Sequence, residues 1–473
     1  MNRPALVLLL GALLSSCKVG PDYHAPSPPE GADAPFVSQN SSAQSTEPPP
    51  DEWWQLYHDA RLDAFVQEAF NANKQLSAAE ANFAAAAAVV SAARAGLYPS
   101  TKAAVGGIYG RDATTDEILE LQGHAPQTLW LYEDVFEVGY EVDLFGKVRR
   151  SIEAAHANAQ SAAAARDALK VVIAAETARA FAQVCTLGEQ LAVARRSHDI
   201  VAHEAGITVK RHDAGAASNY DVARAAALEA QARSAIAPLE GQRRAALFQL
   251  TAVLGRTPVN APRELESCVT PPALSALIPI GDGASLLRRR PDVRQAERRL
   301  AAATAQIGVA TADLYPDIHL TGLYGGAAST LSDLTTNIGL TWGVGPAISW
   351  SFPNQAGPRA RIAQAKSTEA AALAAFDEVV LEALKETEQA LALYGAALDY
   401  RQSLADSQSK IHGAFGMADD QFLAGAVSNL DLLTTEQSLI AADAAVAASD
   451  TALVQDQIAV FTALGGGWQR APR

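Results

Sequence analysis

The chain has 473 residues, a formal net charge of −15 and 49% hydrophobic residues. The acidic balance argues against a nucleic-acid partner, because nucleic acids are bound through a basic footprint. No nucleophile is arranged with a base, no glycine-rich phosphate loop occurs, and His198 and His203 do not share a helix face. We therefore predict that the protein is not an enzyme, and we predict no catalytic residue, no cofactor and no metal site.

Residues 1–16 are typical of a secretory signal peptide. Arg3 precedes an apolar run from Ala5 to Leu14, which is too short to span a bilayer and ends in small residues. The following Cys17 predicts lipoprotein processing with acylation; the alternative is an ordinary signal peptide with an incidental cysteine. Beyond the signal we find no stretch apolar enough for a membrane helix, so any membrane crossing must use strands.

Residues 17–58 form the predicted lipid-anchored N-terminal segment. Their richness in Pro, Ser and Ala is typical of an extended tether that wraps or spaces rather than packs. Trp53 and Trp54 are expected to dock the tether onto the body. For the other two cysteines, Cys185 and Cys268, an oxidising compartment would permit a bridge, but their separation does not establish one, and we favour two unpaired thiols.

Two segments of the remaining chain repeat each other in the same order. Ala214-Gly-Ala-Ala-Ser-Asn-Tyr-Asp-Val222 returns as Ala424-Gly-Ala-Val-Ser-Asn-Leu-Asp-Leu432, and Leu97-Tyr98-Pro99 returns as Leu314-Tyr315-Pro316. Such echoes indicate a tandem duplication of about two hundred residues. We place repeat 1 at 59–270, repeat 2 at 271–465 and a C-terminal tail at 466–473.

Each repeat contains a long span without proline. Lys147–Asp213 and Ala356–Leu423 are dense in good helix formers, and a single helix of this length spans on the order of 100 Å. Apolar residues in the second span recur at the mean spacing of coiled-coil packing; they include Leu373, Phe376, Val380, Leu384, Leu391, Tyr394 and Leu398. Shorter helices at 220–254 and 430–464 complete predicted helical hairpins at 147–255 and 356–464.

Two further segments alternate with a period of two. In 130–144 the even positions are mostly aromatic or apolar and Glu133, Glu137 and Glu141 lie between them, and 338–352 alternates apolar with small or polar residues. This pattern is typical of strands between lipid and water, and the alternative is a half-buried soluble sheet. The predicted β-hairpins at about 100–145 and 317–352 supply only four strands, so either several chains share one barrel or the sheet is not in a membrane.

Several motifs resemble the outer-membrane efflux lipoproteins of the NodT/OprM type, which are TolC-like. They are Cys17-Lys-Val-Gly-Pro-Asp-Tyr23, the run from Leu286 through Arg288-Arg-Arg-Pro-Asp292 to Glu297, Ile307-Gly308 with Leu314-Tyr315-Pro316, and the two repeated tip motifs. The resemblance implies an α+β membrane protein that forms a homotrimer, with four strands per chain in a twelve-stranded outer-membrane β-barrel and long coiled-coil helices in a periplasmic α-barrel. Lys18 after the cysteine favours transfer to the outer membrane.

The resemblance also implies a function. It predicts the passive exit duct of a tripartite efflux pump, which conducts drugs or other small molecules and works with a periplasmic adaptor (membrane fusion) protein and an inner-membrane RND transporter. One alternative is the exit duct of a type I protein-secretion system, which the RRRPD run argues against. Another is a periplasmic coiled-coil scaffold without a pore, which the alternating hairpins argue against.

The two helical tips are the predicted periplasmic gate. Asp221 and Asp431 lie just past the tips, where a carboxylate is also favoured by the helix dipole alone. In a trimer these groups would surround a narrow mouth and attract cations, and the resemblance makes Asp431 the better candidate for a selectivity ring. The other gate candidates are Asn219, Asn429 and Phe422. Related ducts often carry a basic residue just after the second turn, where this chain has Val427, so we expect a different or weaker closing network.

The basic cluster Arg288-Arg289-Arg290 precedes a predicted helix start at Pro291. It could indicate an anion site. Because acids follow at helical spacing, Asp292 and Glu297, we predict local ion pairs instead.

Overall fold

Two helices of almost seventy residues, one in each repeat, dominate the fold. The computed structural model describes residues 18–39, 43–274, 277–337 and 339–468. Its elements in chain order are β1 (Gln44–Ser45), α1 (Ala60–Ala72), α2 (Lys74–Ala95), β2 (Ser100–Gly110), α3 (Ala113–Leu121), β3 (Leu129–Glu141), α4 (Lys147–Asp213), α5 (Asn219–Ser234), α6 (Ile236–Val253), β4 (Ile278–Pro279), α7 (Gly283–Arg289), α8 (Pro291–Ala312), β5 (Asp317–Ala328), β6 (Leu340–Ser349), α9 (Ala356–Leu423) and α10 (Asn429–Ala463). The bounds of α4 and α9 are those predicted, since proline is absent from α4 and occurs in α9 only in the first turn, where it is tolerated.

The elements are divided between two compact units. The first contains the described residues of 1–26, 83–162 and 296–376, and therefore all four strands of the larger sheet. The second contains the described residues of 27–82, 163–295 and 377–473, and therefore both helical tips.

The predicted apolar stripe of α9 is mostly buried. Val380, Leu391 and Tyr394 are at most 5% exposed, whereas Leu373 at one end of the stripe is 37% exposed. Burial at successive steps of three and four residues is the geometry of coiled-coil packing.

The helix that returns from the first tip is interrupted, although one continuous helix was expected at 220–254. α5 ends at Ser234 and α6 begins at Ile236. Pro238 explains the interruption, because it has no N–H to bond the carbonyl of Ser234 and its ring collides with that turn. The corresponding α10 has no proline and runs unbroken from Asn429 to Ala463.

The four predicted strands form one antiparallel sheet in the order β2-β3-β5-β6. β3 pairs with β5, from Tyr132 opposite Ala328 to Glu141 opposite His319, and so joins the hairpins of the two repeats. β2 and β6 form the edges. The edge strands carry exposed apolar side chains, including Val105 at 84% and Val344 at 81%. The connection between β2 and β3 contains α3, a helix that the period-two pattern did not predict.

Two described helices are apolar and long enough to cross a membrane by length and composition alone, although none was expected. Windows in α2 and α4 reach mean hydropathies of 1.4 and 1.2. Glu80 falls inside any 18-residue window of the 22-residue α2, but the alanines and valines around it outweigh this one charge. The window in α4 is 78% buried within the structure, as expected of a core helix, and that in α2 is 11% buried.

Aromatic side chains hold the end of the N-terminal segment in the core of the second unit, as predicted. Trp53 and Trp54 are 0% and 1% exposed. The Trp53 ring stacks on Phe461 with 4.9 Å between ring centroids. β1 adds a short parallel pairing with β4.

The expectation of two unpaired thiols is wrong, because Cys185 and Cys268 form a disulfide bond across 83 residues. The hairpin explains how such distant residues meet. α4 continues for about 42 Å beyond Cys185, and α5 and α6 return over a similar length. The guanidinium of Arg243 on α6 then binds the segment after the hairpin by donating to the carbonyl oxygens of Leu265, Glu266 and Cys268.

The basic cluster makes ion pairs, but only one of its two predicted partners is correct. Arg290 is 8% exposed and pairs with Asp292 at 2.6 Å and with Glu386 at 2.7 Å. Arg289 pairs with Asp51 at 3.0 Å. Glu297 instead pairs with the adjacent Arg298, since it lies two turns further along α8.

Candidate functional site

The first helical tip is a tight turn built on one glycine. α4 ends at Asp213, and Gly215 adopts φ +75°, which is strained for any residue with a Cβ. The N–H of Ala216 donates to the carbonyl oxygen of Arg211 at 2.7 Å, and the N–H of Gly215 donates to the carbonyl oxygen of His212 at 2.8 Å. These bonds satisfy carbonyl groups that the helix end leaves free.

The second tip has the same construction. Gly425 has φ +73°, and the N–H groups of Ala426 and Gly425 donate to the carbonyl oxygens of Gln421 and Phe422 at 2.8 and 2.9 Å. The repeated sequence motif therefore encodes a repeated turn.

Asp221 and Asp431 each complete a capping box at the start of the returning helix. The Asp221 carboxylate accepts from the backbone N–H of Ser218 at 2.9 Å and from its hydroxyl at 2.7 Å. The Asp431 carboxylate accepts from the backbone N–H of Ser428 at 3.1 Å and from its hydroxyl at 2.6 Å. The Ser218 and Ser428 hydroxyls, followed by their backbone N–H groups, lower the pKa of each carboxyl. Both groups are therefore ionised at neutral pH, and both are bound to the local backbone.

A contact between the two tips was missed from the sequence. The guanidinium of Arg211 lies over the ring of Phe422, 5.2 Å from its centroid. Arg211 thus places a cation at the second tip, where Val427 supplies none. Alignment of the repeats matches Phe422 to His212, the neighbour of Arg211, but it does not indicate that residues of the two repeats make contact. His212 Nδ1 is instead 2.9 Å from the carbonyl oxygen of Ala217.

The two asparagines among the gate candidates occupy equivalent places. Asn219 and Asn429 are the first residues of α5 and α10. The caps themselves are the serines that precede them. The structure thus brings Arg211 and Phe422 together, and it couples each aspartate to its own serine.

Cys17, the predicted acylation site, lies outside the described residues, but the segment that follows it is tightly held. Arg150 is 1% exposed and donates to the carbonyl oxygens of Val19 and Gly20, both at 3.0 Å. Gly20 lies against Gly308, where a Cβ would approach the Gly308 Cα within 2.5 Å. The prediction that this segment spaces rather than packs is therefore wrong at 18–23, because small residues allow close backbone contact.

The sequence matches a family model described as outer membrane efflux protein twice in tandem, at residues 65–256 and 284–466. Nodulation protein T of Rhizobium leguminosarum bv. viciae is 30% identical over 97% of this chain and 92% of its own length. The pyoverdine export outer membrane protein OpmQ of Pseudomonas aeruginosa is 28% identical, with 88% of each chain covered. The solved outer-membrane channel OprN is 31% identical and superposes with a TM-score of 0.87 over 96% of this chain and all of that one. The chain therefore belongs to the outer membrane efflux protein family, and it is an outer-membrane efflux channel protein.

Proposed function

We propose that three copies of this chain form the passive exit duct of a tripartite efflux pump. The observation that carries the proposal is the four-stranded sheet with two long edges, β2 and β6. A membrane barrel cannot keep unpaired edges in lipid and needs at least eight strands. Three copies would pair β2 of one chain with β6 of the next and close twelve strands.

We propose the other components of the pump from the efflux role of the family. A channel in the outer membrane needs a pump in the inner membrane and a periplasmic adaptor that bridges them, and we assign an RND transporter and a membrane fusion protein to these roles. Relatives named for pyoverdine export and antibiotic efflux support small molecules as the cargo. We further propose that cargo passes through unaltered, so the duct itself is not an enzyme.

Native mass spectrometry of the full-length protein in a mild detergent tests the assembly. The expected species is a trimer, because lateral pairing of β2 with β6 removes the exposed edges. Heating should convert it to monomers that migrate differently on gels. A stable monomer that retains its hairpins would contradict the proposal.

The two tips form the gate of the proposed duct. Asp221 is partly exposed, Asp431 is exposed, and both are ionised, so three-fold symmetry would bring like charges towards one narrow opening. The mutual repulsion of these carboxylates disfavours a tight seal. The contact between Arg211 and Phe422 favours the closed tips and opposes this repulsion. The closed state should therefore be only modestly favoured, and an adaptor need shift it by only a few kcal/mol.

Single-channel recordings in planar bilayers separate the charge of Asp431 from its capping role. Asp431→Asn removes the charge and should reduce both cation selectivity and block by periplasmic divalent ions. Ser428→Ala breaks the capping box but keeps the carboxylate, so selectivity should persist while the hairpin loses about 1 kcal/mol of stability. If both variants leave selectivity and block unchanged, Asp431 is only a capping residue.

A further inference from the structure

A pocket of about 450 Å³ lies beside α10, two turns beyond the second tip. Its walls come from three elements. Val201 of α4 and Leu228 of α5 contribute apolar surface, and so does Ile440 of α10. Alanines widen the space between them, and the interruption of the returning helix at Ala235 lies on its rim.

One acidic side chain lines this mostly apolar pocket. Glu436 is 3% exposed, and its Oε1 atom is buried without a hydrogen-bond partner among the residues that the structure describes. An unpaired buried carboxylate oxygen is costly, because no protein donor compensates its lost hydration. Burial, followed by the nearby carboxylate of Glu204, raises the pKa of Glu436 to about 7.

The surrounding charges do not neutralise Glu436. On α4 the group that acts on it is Glu204, which is also acidic. On α5, Arg233 lies 3.7 Å from Glu229, with which it is paired. Further along α10, Asp443 is bound by His412 of α9 at 3.1 Å. The pocket therefore has apolar walls, a second carboxylate near Glu436 and, within the described part of the chain, one acceptor that lacks a partner.

We propose that this pocket binds a hydrophobic organic monocation, such as a substituted ammonium ion. The cation would lie against the Glu436 carboxylate, and its apolar groups would fill the space between Val201, Leu228 and Ile440. The amides of Gln231 and Gln437, which also line the pocket, would contact the polar side of the ligand. A fully hydrated inorganic cation does not match these walls, because it would lose its hydration shell to hydrocarbon.

Occupancy would connect the two repeats near the gate. The pocket is built from the hairpin of repeat 1 and the returning helix of repeat 2, so a bound cation would bridge them and offset the repulsion between Glu204 and Glu436. The site does not depend on the gate proposed for the tips, since it requires none of the tip residues.

Isothermal titration of the full-length assembly in a nonionic detergent tests the site with benzyltriethylammonium. This probe is permanently charged, so any pH dependence belongs to the protein. Binding should weaken about tenfold between pH 8 and pH 6, because protonation of a carboxyl with a pKa near 7 competes with the cation. Glu436→Gln should weaken binding about tenfold or more at pH 8 and abolish the pH dependence.

Two further variants make the test specific. Glu378→Gln makes the same charge change at an exposed position of α9, and it should leave binding unaltered. Ala232→Leu narrows the pocket without touching the carboxylate, so it should also weaken the probe by about tenfold. Equal binding to the wild type and Glu436→Gln would overturn the proposal. So would the absence of binding to the wild type, the result expected if a neighbouring subunit fills the pocket.

Discussion

The two repeated aspartates combine a local structural role with a free charge. Each carboxylate accepts two hydrogen bonds from the serine three residues earlier, and these bonds lower the pKa of Asp221 and Asp431. The capping role is readable from the sequence, because a serine followed three residues later by an acid is a local motif. The contact of Arg211 with Phe422 is not, since it joins residues from different repeats.

Loss of the Arg211 guanidinium should open the channel more often. A cation–π contact near the surface contributes about 0.5–1 kcal/mol, so Arg211→Ala should raise the ratio of open to closed channels about two- to fivefold in single-channel recordings. Lys210→Ala is the matched control, because it removes the same charge from the neighbouring exposed residue. If the two substitutions change the ratio of open to closed channels equally, the net charge of the tip controls opening and the contact of Arg211 with Phe422 does not.

At the scale of elements, the long helices are determined locally, but their connections are not. Proline is absent from α4 and limited to the first turn of α9, and both end at a glycine turn, so their bounds follow from the sequence. The disulfide depends on the length of the returning helix and on the carbonyl contacts of Arg243. Arg243 also donates to the carbonyl oxygen of Val184 on α4 at 3.2 Å, so it holds the segment after the hairpin against α4.

The disulfide should stabilise the second unit without affecting conduction. Replacement of Cys185 and Cys268 together by serine should cost about 2–4 kcal/mol, because the unfolded chain loses a cross-link between distant residues. The measurements are denaturant unfolding and single-channel conductance. As a control, denatured Cys17→Ser protein, which keeps only Cys185 and Cys268, should show two maleimide-reactive thiols per chain after reduction and none before. Free thiols before reduction would contradict the pairing.

At the scale of the whole molecule, the N-terminal segment connects a predicted membrane anchor to the folded body. The buried Arg150 binds the backbone of Val19 and Gly20, and the Tyr23 hydroxyl donates to Glu297 at 3.0 Å. These contacts fix the chain a few residues after Cys17.

Acylation at Cys17 is tested by labelling cells with palmitate. Cys17→Ser should abolish incorporation, while Cys268→Ser should retain it. Because the strands hold the channel in the outer membrane independently, the Cys17→Ser protein that is exported should still fractionate there. Unchanged labelling of Cys17→Ser would refute the lipoprotein prediction.

The sequence by itself determined the features that local chemistry controls. Duplicated motifs indicated two repeats. An apolar period of 3.5 residues identified the helices and a period of two residues identified the strands. Glycine, serine and aspartate specified both tips. The tertiary structure alone decided which distant residues interact: Cys185 with Cys268, Arg211 with Phe422, Arg150 with the N-terminal backbone, and, through their charges, Glu204 with Glu436. Helix and turn patterns depend on residues a few positions apart in the sequence. These pairs depend instead on how distant segments of the chain pack together, and no local sequence pattern encodes that packing.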